Sequence, residues 1–389
     1  MIFYSDKNVY EAAKDRIRWI FDEFEGRPIS VSFSGGKDST TILHLTKEVM
    51  DERGIKKIPV FFCDQELEAP QTIEYVRYVM NLPWVEPYWI QSYFQEWNAS
   101  KGDWFNVWGP GEKWAREKEP NNPYTDIKYP VTRHFKEVLH SMLTYHFGKG
   151  YVTLGGVRAQ ESPMRRLGLT CSACYKDVTW SKGYGEQGCN GLVLYPIWDW
   201  LINDIWYYIF SNHLKYCKLY NYYFTKKNLQ KCRVSSFIHE NSIQGLKEIK
   251  EISPEFYEAA VRRVENVNTT VQTYGMLWDY VGKLPAYFSS WTEYVNYLAD
   301  NLIDKPENVK KIKNGYASAL RMMSKKFGWW KPGIAAAEER LGRYCVQSIL
   351  AEDFELTKLA QETYRVMIYY NEHYGEIKEA NRGNAEWSE

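Results

Sequence analysis

The stretch VSFSGGKDSTTILHL, residues 31–45, decides how this chain is read. An apolar run enters it. Two glycines, a lysine, an aspartate and two hydroxyl residues follow in a row. Apolar residues at helical spacing leave it. A strand that passes through a tight glycine turn into a helix is built to seat an anion: backbone N–H groups converge there, and the helix N-terminus adds partial positive charge. Gly35 and Gly36 let the backbone approach a phosphate closely. Lys37 adds a full charge. Ser34, Ser39 and Thr40 carry hydroxyl donors, and Asp38 suits either a helix cap or a metal ion. The turn is not a Walker A loop, which needs Gly where position 31 is Val and Ser or Thr where position 38 is Asp. Nor is it the dinucleotide GxGxxG.

The flanks give the fold class. Val9, Ala12, Ile17, Ile20 and Phe24 predict a helix over 8–24, and PISVSF predicts a buried strand. Ile42, Leu45, Val49 and Met50 mark a helix that stops near Gly54. KIPVFFCD reads as a second strand, APQTIEYVRYVM as a helix with Pro70 in its first turn, and EPYWI as a third strand. A helix around 133–147, a strand YVTLGGV, a strand LVLYPI and a helix from Asn203 continue the alternation. Such alternation predicts an α/β fold, doubly wound on a mostly parallel sheet. Residues 92–130, with Trp97, Trp104, Trp108 and Trp114 among Gly, Pro and Asn, read as an aromatic insertion; residues 158–190 read as a cysteine-containing loop. No strand pattern is clear beyond 240. Ser253-Pro254 and the capping-box pattern SWTE at 290–293 predict helices there. The expected division is a nucleotide-binding domain over 1–240 and a helical C-terminal lobe over 241–389.

Composition excludes several classes. Lys plus Arg and Asp plus Glu stand at 49 each, so no global charge favours nucleic acid or an anionic membrane. No apolar run approaches the roughly 20 residues of a membrane span, and the charged N-terminus lacks a signal-peptide core. A cytoplasmic protein is expected, and its seven cysteines are then not a disulfide framework.

SGGKDS at the end of a first strand resembles the PP-loop of the ATP-pyrophosphatase superfamily, and within it the phosphoadenosine phosphosulfate (PAPS) reductase branch. FFCDQELEAPQT (61–72) is similar to that branch's strand ending in aspartate before a helix. GGVRAQESPMRR (155–166) is similar to its Gly-x-Arg-x-x-Glu-Ser-x-x-Arg motif, and LYPIWDWLINDIW (194–206) to its Pro-x-x-x-Trp-x-x-x-Asp-[Val/Ile]-Trp segment. CRVSSFIHENSIQGLKEIKEISPEFYEAAVRRV (232–264) resembles a subgroup from phages, plasmids and bacteria related to regulators of immunoglobulin-binding proteins. The resemblance implies an adenine nucleotide alpha-hydrolase-like fold that binds ATP or PAPS with Mg²⁺. It implies nucleotide contacts from Ser34, Gly35, Gly36, Lys37, Asp38, Ser39, Thr40, Gly155, Gly156 and Arg158. Arg165 and a spare Arg166 would add phosphate-gripping forks. Glu161 would orient an arginine, and Ser162 would be a lesser polar contact. Lys37, Asp38 and Arg158 are the expected catalytic group.

Asp64 and Glu66, just past the second strand, suit a Mg²⁺ or ribose contact; a solvated turn fits them equally. Trp198, Trp200, Asp204 and Trp206 read as packing and capping. Cys171-x2-Cys174 with Cys189 can seed a Zn²⁺ or iron–sulfur site, with Cys232, Cys217 or a histidine as fourth ligand; free cysteines or a redox pair are the alternatives. Three functions remain: ATP pyrophosphatase or adenylyl-transfer chemistry, thiol-dependent PAPS reduction, and a non-catalytic nucleotide-sensing regulator of a ParB-like partner. The chain ends EANRGNAEWSE and lacks the reductases' Glu-Cys-Gly-x-His tail, which ranks adenylyl transfer first.

Overall fold

The structure is a computed structural model that describes residues 6–98, 103–171, 173–226, 249–264, 283–350 and 353–385, together with Cys232, Val234 and Ser236. Much of the 232–264 stretch lies outside the described residues. Two compact units result: residues 1–97 with 104–264, and residues 98–103 with 265–389.

The first unit alternates strands and helices as the sequence predicts. In order it holds α1 (Val9–Glu23), β1 (Ile29–Ser32), α2 (Lys37–Glu52), β2 (Ile58–Cys63), α3 (Pro70–Met80) and β3 (Val85–Ile90). After the hairpin strands β4 (Phe94–Asn98) and β5 (Asp103–Val107) come α4 (Phe135–Phe147) and β6 (Tyr151–Leu154). Then follow α5 (Pro163–Thr170), β7 (Ser181–Tyr184), β8 (Gly191–Leu194), α6 (Ile202–Ser211), α7 (Leu219–Lys226) and α8 (Pro254–Arg263). Local chemistry sets several ends. The Asn8 side chain accepts the Glu11 amide at the head of α1, and Pro70 opens α3 at a position where its missing N–H costs nothing.

The six-stranded sheet has the order β3-β2-β1-β6-β8-β7. All pairs are parallel except β7 with β8. Val31 of β1 stands level with Val60 of β2 on one side and Leu154 of β6 on the other. All three are fully buried, as the apolar strands of a sheet covered on both faces must be. The chain runs from β1 outward through β2 and β3, then returns to lay β6 on the other side of β1. That reversal makes the gap between β1 and β6 a topological switch point, and open α/β sheets bind ligands at the strand carboxyl ends beside such a point.

Two stretches differ from the reading. Part of the 92–130 insertion forms the β4–β5 hairpin, a two-stranded sheet whose segments FQEWN and DWFNV carry no strict apolar–polar alternation. The 158–190 loop holds α5 and β7. β7 reads SKGY, too short and polar to announce a strand, and pairs only as an antiparallel edge. In addition α8, assigned by the sequence to the C-terminal lobe, belongs to the first unit.

The second unit is helical: α9 (Trp291–Leu302), α10 (Pro306–Phe327), α11 (Lys331–Leu350), α12 (Thr357–Glu372) and α13 (Tyr374–Ala385). The SWTE pattern caps α9: Ser290 accepts the Glu293 amide, and Glu293 accepts from the Ser289 backbone. Trp291, Val295, Ile312, Tyr316, Leu341 and Val346 build its core. Among the described residues no helix is long and apolar enough to cross a membrane.

Candidate nucleotide site at the head of the second helix

The chain leaves β1, turns at Gly35 with φ +74°, and enters α2 at Lys37. A Cβ on Gly35 would sit 2.9 Å from the Thr72 methyl, so conformation and space both require glycine. Hydroxyls stitch the turn together. Ser39 Oγ donates to the Gly36 carbonyl at 2.9 Å and lies 3.2 Å from Ser34 Oγ. Thr40 Oγ1 also donates to Gly36 O at 2.9 Å. Those side chains shape the turn in this state.

The charges sit deeper. Lys37 is buried, with Nζ 2.8 Å from Asp38 Oδ2 and 3.3 Å from the Cys232 carbonyl. Its backbone N–H donates to the Tyr220 hydroxyl at 3.1 Å. Arg158, also buried, arrives from beyond β6 and donates from Nε to Asp38 Oδ1 at 2.6 Å. Gln160 Oε1 and the Trp200 carbonyl hold its Nη1. Burial alone would raise the Asp38 carboxyl, but the Lys37 and Arg158 charges outweigh it and hold Asp38 below the usual range. Two cations thus share one carboxylate at a helix N-terminus.

Gly156 explains how Arg158 gets there. A Cβ on it would lie 2.7 Å from the Asp38 carbonyl carbon and 2.8 Å from the Ser39 nitrogen. The chain after β6 therefore packs directly on the first turn of α2. Gly155 faces the Tyr195 ring, where a Cβ would stand 3.0 Å away. The rest of the arginine motif divides. Glu161 accepts the Arg158 backbone N–H at 2.8 Å and also pairs with the Arg165 side chain. Ser162 caps α5 by accepting the Arg165 amide. Arg165 and Arg166 are exposed.

Asp64 and Glu66 are neither solvated nor open to a ligand. Asp64 is fully buried and accepts from Trp89 Nε1, Gln91 Nε2, the Glu66 amide and Arg116. Glu66, at φ +70° and fully buried, accepts from Arg263 Nε at 2.6 Å and from the Trp108 and Ala115 amides at 2.8 and 2.9 Å. It ties the end of β2 to the aromatic insertion and to α8. Nearby Glu68 is buried, and burial, then the Asp64 charge, push its carboxyl well up. The carboxylates Asp38, Asp64 and Glu66 do not fit a protein-held Mg²⁺, because arginine or lysine already claims each of them.

The cysteines do not assemble. Cys171 and Cys189 are exposed, while Cys232 is buried with its carbonyl against Lys37. Among the described residues no group of three His, Cys, Asp or Glu side chains is placed to hold a metal. The expected Zn²⁺ or iron–sulfur ligand set therefore does not fit the arrangement. Trp200 and Trp206 are core residues, and Asp204 accepts the Leu201 amide at 2.7 Å, as read from the sequence.

Sequence reasoning missed Tyr220, Arg116 and Arg263. Each meets its partner across a long sequence separation, 183 residues for Tyr220 and Lys37 and 197 for Arg263 and Glu66, so no spacing announces them.

The match to known families follows this geometry. The model of the phosphoadenosine phosphosulfate reductase domain matches residues 28–226, from the start of β1 to the end of α7. The chain belongs to that family. A domain of unknown function (DUF3440) matches residues 227–382. The Escherichia coli (strain K12) protein YbdN, itself uncharacterized, is 28% identical over 345 residues, which cover 82% of this chain and 81% of YbdN. The uncharacterized protein MJ0973 of Methanocaldococcus jannaschii is 26% identical over 236 residues, 59% of this chain and 46% of that protein. Among solved structures, the PAPS reductase of Candida auris in its phosphate complex aligns at TM-score 0.34 and 13% identity, over 61% of this chain and 98% of that one. Candida glabrata FMN adenylyltransferase aligns at TM-score 0.37 and 15% identity, over 59% of this chain and 65% of that one.

Proposed function

We propose that the head of α2 binds the polyphosphate of an adenine nucleotide, and that the chain uses it for adenylyl-transfer chemistry with release of pyrophosphate. One observation carries the reading. Lys37 and Arg158, both buried, share the single carboxylate of Asp38 at a helix N-terminus. A surplus of buried positive charge is satisfied by an anion, and a helix N-terminus strengthens that demand. In the reaction an acceptor oxygen attacks the α-phosphorus of ATP. The new O–P bond forms as the bond to the bridging oxygen breaks. The electron pair leaves on pyrophosphate, and the acceptor's proton goes to solvent. Lys37, Arg158 and the α2 amides offset charge building on the leaving group. Asp38 keeps both cations aimed at it.

The family description favours a second reading, thiol-dependent reduction of PAPS. Cys171 and Cys189 are the exposed thiols available to attack sulfur. Incubation with ATP, and separately with PAPS plus a dithiol reductant, distinguishes the readings by product. Pyrophosphate supports the proposal and sulfite supports reduction. Nucleotide binding with neither product points to a sensor, the role expected of a regulator with a ParB-like partner.

A further inference from the structure

Resting on the nucleotide reading, we propose that the Tyr220 hydroxyl is itself a polyphosphate ligand, interposed between the first amide of α2 and the bound anion. The Lys37 N–H points out of the helix terminus and would ordinarily reach a phosphate oxygen directly. Here it ends on the Tyr220 oxygen at 3.1 Å. That oxygen also lies 3.5 Å from where a Cβ on Gly36 would stand, so it is pressed against the turn. The phenol cannot step aside. Its ring is 1% exposed and packs edge-on against Trp206 at 5.0 Å and against Tyr223 at 6.3 Å. The Lys37 ammonium lies 5.8 Å from the ring centroid, on the same side of the site.

The hydroxyl has a proton to give. As acceptor it serves Lys37 N–H, and among the described residues no acceptor takes its own hydrogen. A hydroxyl that accepts from a helix-terminal amide is a polarised, stronger donor. Burial, then the negative Asp38, push its pKa well up, so it keeps that hydrogen at any working pH. α7 thereby extends the helix-terminal donor by one O–H, and an anion beside Lys37 and Arg158 is the acceptor that completes the chain. The ligand class is a polyphosphate, as inorganic pyrophosphate or as the phosphates of a nucleotide.

The test is calorimetric titration of the full chain with ATP, inorganic pyrophosphate and adenosine. Tyr220→Phe should weaken ATP and pyrophosphate about tenfold, the scale of one hydrogen bond to a charged group, and leave adenosine unchanged. Placing meta-fluorotyrosine at Tyr220 keeps the ring and makes the hydroxyl a better donor. It should hold or tighten pyrophosphate, which keeps the test valid if Tyr220→Phe folds poorly. Equal pyrophosphate affinity in wild type and Tyr220→Phe, or weakening by the fluorinated residue, overturns this inference alone. A wild type that binds neither ATP nor pyrophosphate removes the nucleotide reading and this inference with it.

Discussion

Replacing Arg263 by alanine removes the cation that balances Glu66, a carboxylate with no solvent exposure. Arg263 donates to Glu66 Oε1 at 2.6 Å and Oε2 at 3.2 Å, to the Asn106 carbonyl at 2.6 Å, and pairs with Glu112 at 2.8 Å. Its guanidinium also lies 4.4 Å from the Phe105 ring centroid. After the substitution Glu66 retains the Trp108 and Ala115 amides, but its charge stays buried without a counter-ion. Breaking a buried pair from one side costs about 3–5 kcal/mol. In a unit of this size each kcal/mol lowers the midpoint by roughly 2–4 °C. The transition of the first unit should therefore fall by roughly 6–20 °C, and the helical unit's own transition should stay in place. Glu66→Gln combined with Arg263→Ala should cost less than the sum of the two single changes, because the stranded charge is gone. Calorimetric scans of the four proteins decide it. A loss below about 1 kcal/mol for Arg263→Ala would refute the reasoning and make the pair a surface-like contact.

Gly156→Ala should abolish nucleotide binding while the far edge of the sheet stays folded, because the new methyl meets the Asp38–Ser39 backbone at 2.7–2.8 Å; titration with ATP beside circular dichroism checks it. Burial pushes the Glu96 carboxyl up to about 8 from an ordinary 4.5, so the folded state keeps a proton that the unfolded chain releases. Stability should then fall as pH rises between those values, by at most about 1.4 kcal/mol per pH unit, and Glu96→Gln should flatten the slope in urea titrations. The triple change of Cys171, Cys174 and Cys189 to Ser should leave metal content and midpoint unchanged. A full equivalent of zinc or iron in the wild type that vanishes in the variant would contradict the arrangement described.

The strands of the sheet were legible because β1, β2, β6 and β8 are mostly buried and so are rich in Val, Ile, Leu and aromatic residues between turn signals. The phosphate turn was legible because it is local: SGGKDS lies within a few residues of chain. The hairpin and β7 were not, since short strands with Gly, Asn and Lys carry little period-two signal. The role of Asp64 and Glu66 was misread for a different reason. Strand-end carboxylates suit a Mg²⁺ or ribose contact or a solvated turn equally in sequence, and what they bind is set by Arg116 and Arg263, which only folding brings near. Tyr220 was invisible on the same ground. The reading of Trp206 as packing agrees with the structure: it packs against Phe210, Tyr216, Tyr220 and Phe224.

The central claim is that Lys37 and Arg158 together form a polyphosphate seat. Its most direct test is calorimetric titration of ATP into the wild type, Lys37→Ala and Arg158→Ala. Each loss of a charge-assisted contact should cost roughly 1.5–3 kcal/mol, and therefore more than tenfold in affinity. Saturable ATP binding in the wild type, weakened by that amount in both variants, is the predicted result. Equal affinity in all three proteins would contradict it.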